Sequence, residues 1–286
     1  MRYCRFSGIQ TGPLQPLWGR VDGDVVHQLS GPPLGLGTTY GLARRGGGVG
    51  GTGLPPRPTV VATFPLAEVT LLPPVVPPVF YAVGLNYTDH IRHAQANGNA
   101  AAQVPLRPEV GYRANNALIG HQAAIVKPAD VVGRFEAEPE LVAVIGATLR
   151  RASYTQAQEA IFGWTIGNDV SAREWQRSDR TFWRSKNSDT FKPMGPWIET
   201  EVDALAQTTT VRVDSEQRAQ FRTGAMLFDP FEYIVEITKY ITMHPGDVLW
   251  MGADAMVQIE PGNIVDVEIS GIGVLSNPVL AEPTAP

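Results

Sequence analysis

The chain has 286 residues, of which 43% are hydrophobic, and a formal net charge of -5. This length supports a sizeable core, and the mildly acidic balance, without a run of Lys and Arg, argues against nucleic acid or an anionic membrane as a partner. The single cysteine, Cys4, excludes an internal disulfide and fits a reducing compartment. No apolar run reaches the ~18 residues of a membrane span, and "MRYCRFSGIQ" lacks a signal-peptide core, so we expect a cytoplasmic protein.

Residues 1–72 are predicted to form a small N-terminal β domain. Its strand-like runs are "MRYCRF", "PLWGRV" and "DVVHQL", and "VDGD" has the composition of a tight hairpin turn. Cys4 lies in the first of these runs and is expected to pack in a core. The Gly- and Pro-rich stretch "GTTYGLARRGGGVGGTGLPPRPT" is expected to be a mobile loop. Paired prolines near residue 73 mark the boundary to a second domain, residues 73–286.

The second domain contains many strand-like runs and few helical ones. Val- and Ile-rich segments such as "VFYAVGLNY", "ELVAVIGATL", "GWTIGNDV" and "DVLWMGA" predict strands. Helices are predicted in "YTDHIRHAQANG", in "SYTQAQEAIFG" with Ser153 or Thr155 as the cap, and in "DPFEYIVEITKYITMH" with Asp229 as N-cap and Pro230 at the first position. The chain is therefore predicted to be mixed α/β but mainly β, with short peripheral helices.

Acidic residues run directly into an apolar strand in "EAEPELVAVIG". Side chains alternate along a strand, so Glu138 and Glu140 are expected on one face, about 7 Å apart. An arbitrary E-x-E is usually a solvated strand end, but carboxylates at the rim of a core are costly unless water or a cation accompanies them. A hard cation such as Mg²⁺ takes such oxygen ligands. Asp169, at the end of "GWTIGNDV", could complete a triad.

Basic residues offer further candidates, each with an ordinary alternative. Lys186, in "FWRSKNSD", is either a solvated surface lysine or a donor to a developing oxyanion. His90 and His93 are three residues apart on a predicted helix and share a face. A zinc site is conceivable there, but the H-E-x-x-H spacing and a cysteine partner are missing.

An ordered series of segments resembles the fumarylacetoacetate hydrolase family. The series is "VGLNYTDH", "EPELVAVIG", "GWTIGNDVSAREWQ", "KNSDTFKPMGPW", "HPGDVLWMG" and "VDVEISGIGVLSNPV", over roughly residues 73 to 280. Residues 1–72 are similar to the small β domain that precedes this core in many members. The resemblance implies a β-rich catalytic core, a homodimer, and one Mg²⁺, with Mn²⁺ or Ca²⁺ as alternatives.

The resemblance also implies roles for individual residues. It assigns the metal to Glu138, Glu140 and Asp169, with Glu136 outside the match as a solvated neighbour. It assigns catalysis to His90, His93 and Lys186. It assigns substrate binding to Arg113, Arg173, Gln176 and Thr190.

Two positions depart from the family pattern. Hydrolytic members pair a lid histidine with a glutamate, whereas here His90 is followed by His93 where the glutamate would stand. This removes the carboxylate that would fix the imidazole tautomer. The threonine of the family's Gly-Thr-Pro loop is replaced by Ala253 in "MGADAM", which predicts an unusual substrate.

The leading functional hypothesis is a Mg²⁺-dependent hydrolase that cleaves a C–C bond of a small acylpyruvate, β-diketo or 2-oxo acid through a metal-stabilised enolate, with His90 activating water and His93 assisting. The alternative keeps the metal and the enolate without the water, as a decarboxylase or a tautomerase or isomerase of a 2-oxo acid. A third hypothesis is a non-catalytic ligand-binding relative. The first two hypotheses imply a small-molecule substrate as the partner, and neither nucleic acid nor a membrane.

Overall fold

The computed structural model describes residues 1–8, 16–33, 36, 57–96 and 103–283, and of residues 93 and 94 only the backbone. Within these ranges the chain forms strands and four short α-helices, so the predicted mixed but mainly β fold is confirmed. Almost all of the Gly- and Pro-rich stretch between residues 37 and 59 lies outside the described residues.

The strands are numbered in chain order. They are β1 (Arg2–Gly8), β2 (Leu17–Asp22), β3 (Val25–Leu29), β4 (Val60–Pro65), β5 (Val69–Leu72), β6 (Phe80–Val83), β7 (Val110–Tyr112), β8 (Leu118–Ile119), β9 (Ile125–Lys127), β10 (Phe135–Ala137), β11 (Pro139–Ile145), β12 (Ile161–Asn168), β13 (Ser171–Ala172), β14 (Lys192–Glu199), β15 (Thr208–Val213), β16 (Glu216–Arg222), β17 (Val248–Trp250), β18 (Val257–Gln258), β19 (Ile264–Ile269) and β20 (Gly273–Ala281). The helices are α1 (Thr88–Ala96), α2 (Tyr154–Glu159), α3 (Arg173–Gln176) and α4 (Pro230–Thr238).

Three sheets organise the described residues. The largest has the order β4-β3-β2-β1-β14-β12-β11-β17-β6-β7, with β5 on β1 and β8 on β14. A second sheet has the order β16-β15-β19-β20-β9, and a small one the order β13-β10-β18. The central strand β11 is buried along its whole length, which explains why its sequence is a continuous apolar run rather than an alternating one.

The N-terminal segment joins the large sheet instead of standing apart. The predicted hairpin between β2 and β3 forms, with Gly23 at a φ of 55° in its turn, and Cys4 is fully buried as expected. Strand β1 pairs with β2 along one edge, and along its other edge with β14, where Tyr3 lies opposite Ile198, and then with β5. The division at residue 72 stays a prediction, because the strands of residues 1–72 and those beyond share one sheet.

Side chains cap two helices at the positions that the sequence offers. Ser153, rather than Thr155, caps α2, and Asp229 caps α4 with Pro230 at its first position. The prediction that α4 continues to His244 was wrong, because the helix ends at Thr238. The Thr238 carbonyl accepts hydrogen bonds from Arg150 Nη1 and the backbone N–H of Arg151, and these take the place of further helical turns. None of the described helices has the length and apolar character of a membrane-crossing segment.

Candidate metal centre and active site

Five strand ends meet at one edge of the large sheet. Strands β12 and β17 run antiparallel to β11 on either side of it, so both end where β11 begins. Strand β14 is antiparallel to β12 and begins at that edge, and β6 is parallel to β17 and ends there. Polar residues just outside these strands are thereby brought together from distant parts of the sequence.

The three acidic residues of the predicted triad converge at this edge. The backbone N–H of Asp169 donates to the Glu138 carbonyl at 2.8 Å, and the Asn168 side chain accepts from the Glu138 N–H at 3.0 Å. Glu140 lies opposite Gly167 in the β11–β12 ladder. Carboxylate oxygens of Glu138, Glu140 and Asp169 all lie within 4.8 Å of one another, and the three residues are buried.

Basic side chains surround two of these carboxylates. Lys186 Nζ lies 2.6 Å from both Glu138 and Asp169. Arg113 donates from Nε and Nη2 to the two oxygens of Asp169, at 3.2 and 3.0 Å. Arg173 donates to Glu138 and also holds Gln176 at 3.1 Å. Lys186 is therefore a buried residue of the site and not a solvated surface lysine.

Glu136 corrects the sequence-based interpretation. It was expected to be a solvated neighbour, but it is 5% exposed and Arg173 Nε donates to its carboxylate. Its strand, β10, belongs to the small sheet and pairs with β13, which leads directly into Arg173. The pairing brings the two side chains together and excludes water, so Arg173 bridges Glu136 and Glu138.

Lys192 was not identified from the sequence. Its side chain is fully buried, and Nζ lies 2.7 Å from Asp169 Oδ1 while donating to the carbonyls of Val170 and Phe191. Burial lowers the pKa of Lys192 to about 7, against the opposing effect of Asp169. The one available signal was a lysine within the apolar run "TFKPMGPW". A lysine is almost never fully buried unless it is paired, so a buried lysine there indicates a nearby acidic partner.

The acidic residues experience different electrostatic environments. Burial raises the pKa of Glu138, but the charges of Arg173 and Lys186 outweigh it and bring the pKa to about 2. Arg113, Lys186 and Lys192 likewise overcome burial and hold the pKa of Asp169 well below its ordinary value. Burial, with the charges of Asp169 and Glu138, raises the pKa of Glu140 well above its ordinary value.

Glu140 shows that the site suits a cation. Its Oε2 accepts one hydrogen bond from the N–H of Gly252 at 2.8 Å, and none of the described Lys or Arg side chains forms an ion pair with it. A buried carboxylate without a counter-charge is costly, and a divalent cation between the three carboxylates would supply that charge. The donor set is all oxygen, which fits a hard cation.

His90 reaches the site from α1, which follows β6. Its Nδ1 lies 2.8 Å from the carbonyl of Ala253, and because a carbonyl only accepts, Nδ1 carries the proton. Nε2 then has the lone pair, and no hydrogen bond joins it to the described residues. Burial lowers the pKa of His90 below its ordinary value, against the Glu138 charge, so the ring is held neutral. The glutamate that would fix the tautomer is replaced by His93, and the backbone carbonyl of Ala253 fixes it instead.

The structure places the other predicted site residues but does not test their roles toward a substrate. Thr190 has a φ of 70°, and its hydroxyl accepts from the N–H of Val126 at 2.8 Å. The guanidinium of Arg113 is committed to Asp169, so its substrate contact stays a prediction, as do those of Arg173, Gln176 and Thr190. The backbone of His93 lies in α1, but its side chain is outside the described atoms, and its assisting role stays a prediction.

Asp179 supports the segment that carries Lys186. Its carboxylate accepts hydrogen bonds from the N–H groups of Trp183, Arg184 and Ser185 and from the Ser185 hydroxyl. These bonds, opposed by burial, lower its pKa. Nothing in the sequence indicates this role, because an aspartate in "RSDRTF" is typical of an ordinary surface residue.

Fold and site together define a β-rich protein with a buried acidic centre that can hold a metal, lined by basic residues and one neutral histidine. Residues 79–280 match the family model described as "Fumarylacetoacetate (FAA) hydrolase C-terminal", and residues 1–74 match "Rv2993c-like, N-terminal". The chain belongs to the fumarylacetoacetate hydrolase family.

Individual relatives support this membership. Protein Rv2993c of Mycobacterium tuberculosis is 39% identical over 224 residues, which cover 76% of this chain and 81% of the relative. The mitochondrial oxaloacetate tautomerase FAHD2A of Bos taurus is 31% identical over 237 residues, covering 78% of this chain and 73% of that protein. The crystal structure of 2-hydroxyhepta-2,4-diene-1,7-dioate isomerase from Mycobacterium marinum has a TM-score of 0.80 at 30% identity and covers 99% of this chain and all of that one.

Proposed function

We propose that the chain is a divalent-metal-dependent enzyme that moves a proton on a small 2-oxo acid, as a tautomerase or isomerase. The observation that carries this proposal is the buried triad of Glu138, Glu140 and Asp169 with a neutral His90 nearby. Two relatives at 30% identity or more are named as a tautomerase and an isomerase, which supports this choice of reaction.

The residues present would divide the chemistry as follows. Mg²⁺ is the proposed cation, and it would supply Lewis-acid stabilisation of negative charge on the substrate oxygens. Nε2 of His90 would accept the proton from carbon, since this nitrogen is free and the ring neutral. Lys186 would donate to the developing oxyanion. Arg173 is held by two carboxylates, and its remaining N–H groups would donate to the substrate carboxylate. Gln176, which contacts Arg173, would bind the same carboxylate.

A second candidate is hydrolysis of a C–C bond with His90 activating water. The same free Nε2 favours it, because a neutral imidazole can take a proton from water as well as from carbon. The carboxylate that hydrolytic members place beside this histidine is absent here, so we rank hydrolysis second. A homodimer and a cytoplasmic location accompany both candidates as predictions, and light scattering of the purified protein tests the first.

Proton transfer and hydrolysis leave different isotopic records. We expect purified protein with Mg²⁺ to accelerate keto–enol conversion of oxaloacetate and to introduce deuterium at the carbon next to the carbonyl in D₂O. In ¹⁸O-labelled water, acylpyruvates should yield no product carboxylate carrying solvent oxygen. Labelled carboxylate would favour hydrolysis instead, and turnover that survives Glu138→Ala would sink the metal-site assignment.

A further inference from the structure

Lys192 occupies a place in the site that neither proposed reaction uses. Its side chain is fully buried at the start of β14 and contacts Asp169. The ammonium has three N–H groups, and it has three acceptors: Asp169 Oδ1 at 2.7 Å, the Phe191 carbonyl at 2.9 Å and the Val170 carbonyl at 3.1 Å. An enclosed ammonium with its donors committed cannot contact a substrate, so any effect on chemistry passes through Asp169.

The two oxygens of Asp169 have different surroundings. Oδ1 contacts Lys192, whereas Oδ2 contacts Lys186 at 2.6 Å, and the same Lys186 ammonium reaches Glu138 at 2.6 Å. The ammonium of Lys186 therefore lies between two of the three carboxylates, in the region where a bound cation would be shared. A divalent cation would compete with Lys186 there, while Lys192 would keep its place on Oδ1.

Lys192 can act on a bound cation in two opposing ways. It could help binding by orienting Asp169, or hinder it by placing a positive charge beside a ligand oxygen. Arg113 already holds both oxygens of Asp169 through Nε and Nη2, so the orientation does not depend on Lys192. The protonated Lys192 ammonium acts on Asp169 through a charge effect instead, and a buried charge is screened far less than an exposed one.

We propose that Lys192 acts through Asp169 and lowers the affinity of the Glu138–Glu140–Asp169 site for its divalent cation. In the empty site, Lys192 supplies positive charge to Asp169. In the loaded site, it keeps the cation exchangeable. The inference rests on the metal site proposed above and adds a residue that sets its affinity.

Equilibrium binding of Mn²⁺ to chelator-treated protein at low salt tests this inference without any measurement of turnover. The variants are Lys192→Met, which removes the charge, and Lys192→Gln, which removes the charge but keeps a donor for the buried acceptors. The control is Lys239→Met, which changes the net charge equally at an exposed lysine paired with Glu236. We expect the Mn²⁺ dissociation constant to fall at least about tenfold in both Lys192 variants and to change by less than about twofold in the control.

The outcomes separate the two proposals. Packing damage alone would weaken binding or leave it unchanged, so tighter binding in Lys192→Gln supports the charge effect even if Lys192→Met fails to fold. Unchanged or weaker binding in Lys192→Gln, with normal binding by the unmodified protein, overturns the role of Lys192 alone. If the unmodified protein binds no Mn²⁺, the proposed metal site fails and this inference fails with it.

Discussion

Asp179 is a single residue on which the position of Lys186 depends. The residue is 4% exposed, and its carboxylate accepts hydrogen bonds from three successive backbone N–H groups and one hydroxyl. Bonds to a charged acceptor are stronger than neutral ones. Lys186 follows immediately after this segment, so its distance to Glu138 and Asp169 is fixed by a residue that never contacts either.

Replacing Asp179 with Asn should lower the free energy of unfolding by about 1–3 kcal/mol at neutral pH, because the amide keeps the shape but loses the charge. The native pKa of Asp179 lies below its unfolded value, so this stabilisation is present above the unfolded pKa and is lost as pH falls through the native pKa. Urea denaturation of both proteins from neutral to acidic pH measures the effect. A stability difference that persists undiminished in strong acid would contradict it.

His90 controls the proton transfer proposed for the site. His90→Gln should lower kcat by about 10²–10⁴-fold, because the side chain loses its free basic nitrogen. His27→Gln is the control, since His27 contacts Thr63 in the N-terminal strands, away from the site. Mn²⁺ binding should be the same in both variants, and a loss of metal binding in His90→Gln would mean that the histidine is a ligand rather than the base.

The pH dependence of the reaction follows from the protonation state of His90. Burial lowers the pKa of this imidazole, and the neutral form is the active base. The kcat/KM should therefore rise with pH and level off, with a midpoint below about 6.5, the ordinary value for histidine. A pH–rate profile between mildly acidic and neutral pH checks this, and a midpoint above the ordinary value would exclude a buried neutral base.

At the scale of elements, Gly167 on β12 makes room for the Trp250 ring, which reaches across β11 from β17. A Cβ at this position would lie 2.6 Å from the ring of Trp250, which is fully buried on β17. The same residue lies opposite Glu140 in the β11–β12 ladder. The strand can lie this close to the indole only without a side chain.

Gly167→Ala should therefore lower the free energy of unfolding by about 1–3 kcal/mol, the usual cost of overpacking a core. Gly31→Ala is the matched control, because apart from its chain neighbours a Cβ there meets no atom of the described residues within 4 Å. Chemical denaturation of the two variants in parallel gives the comparison. Equal stabilities would show that Trp250 moves aside without cost.

At the scale of the whole molecule, metal binding should couple to stability. A cation that binds the native state alone stabilises it by about 2.7 kcal/mol at one hundred times its dissociation constant. We expect the melting temperature to rise with Mg²⁺ concentration. In Glu140→Gln this rise should be largely lost, because the variant lacks the one carboxylate of the triad that forms no ion pair with a described Lys or Arg. A rise of equal size in both proteins would place the cation elsewhere.

The sequence predicted those features of the fold and site that depend on residues close together in the chain, and missed those that depend on distant residues. The alternation around Glu138 and Glu140, the strand-end position of Asp169 and the caps at Ser153 and Asp229 could be recognised from neighbouring residues alone. The environment of Glu136 could not, because it depends on the pairing of β10 with β13 across 35 residues of chain. The end of α4 was missed for the same reason, since the groups that compete for its last carbonyl come from residues 150 and 151.

The amino-acid sequence by itself determined the family, the mainly β fold and the acidic residues that can hold a metal, because strand periodicity and short motifs are written in consecutive residues. Only the tertiary structure decided how those acids are neutralised. It placed Lys192 against Asp169, left Glu140 without an ion pair to any described Lys or Arg, and gave His90 the carbonyl of Ala253 in place of a glutamate. Each of these contacts joins residues far apart in the chain, and charge, burial and proton position depend on such neighbours rather than on the residue type.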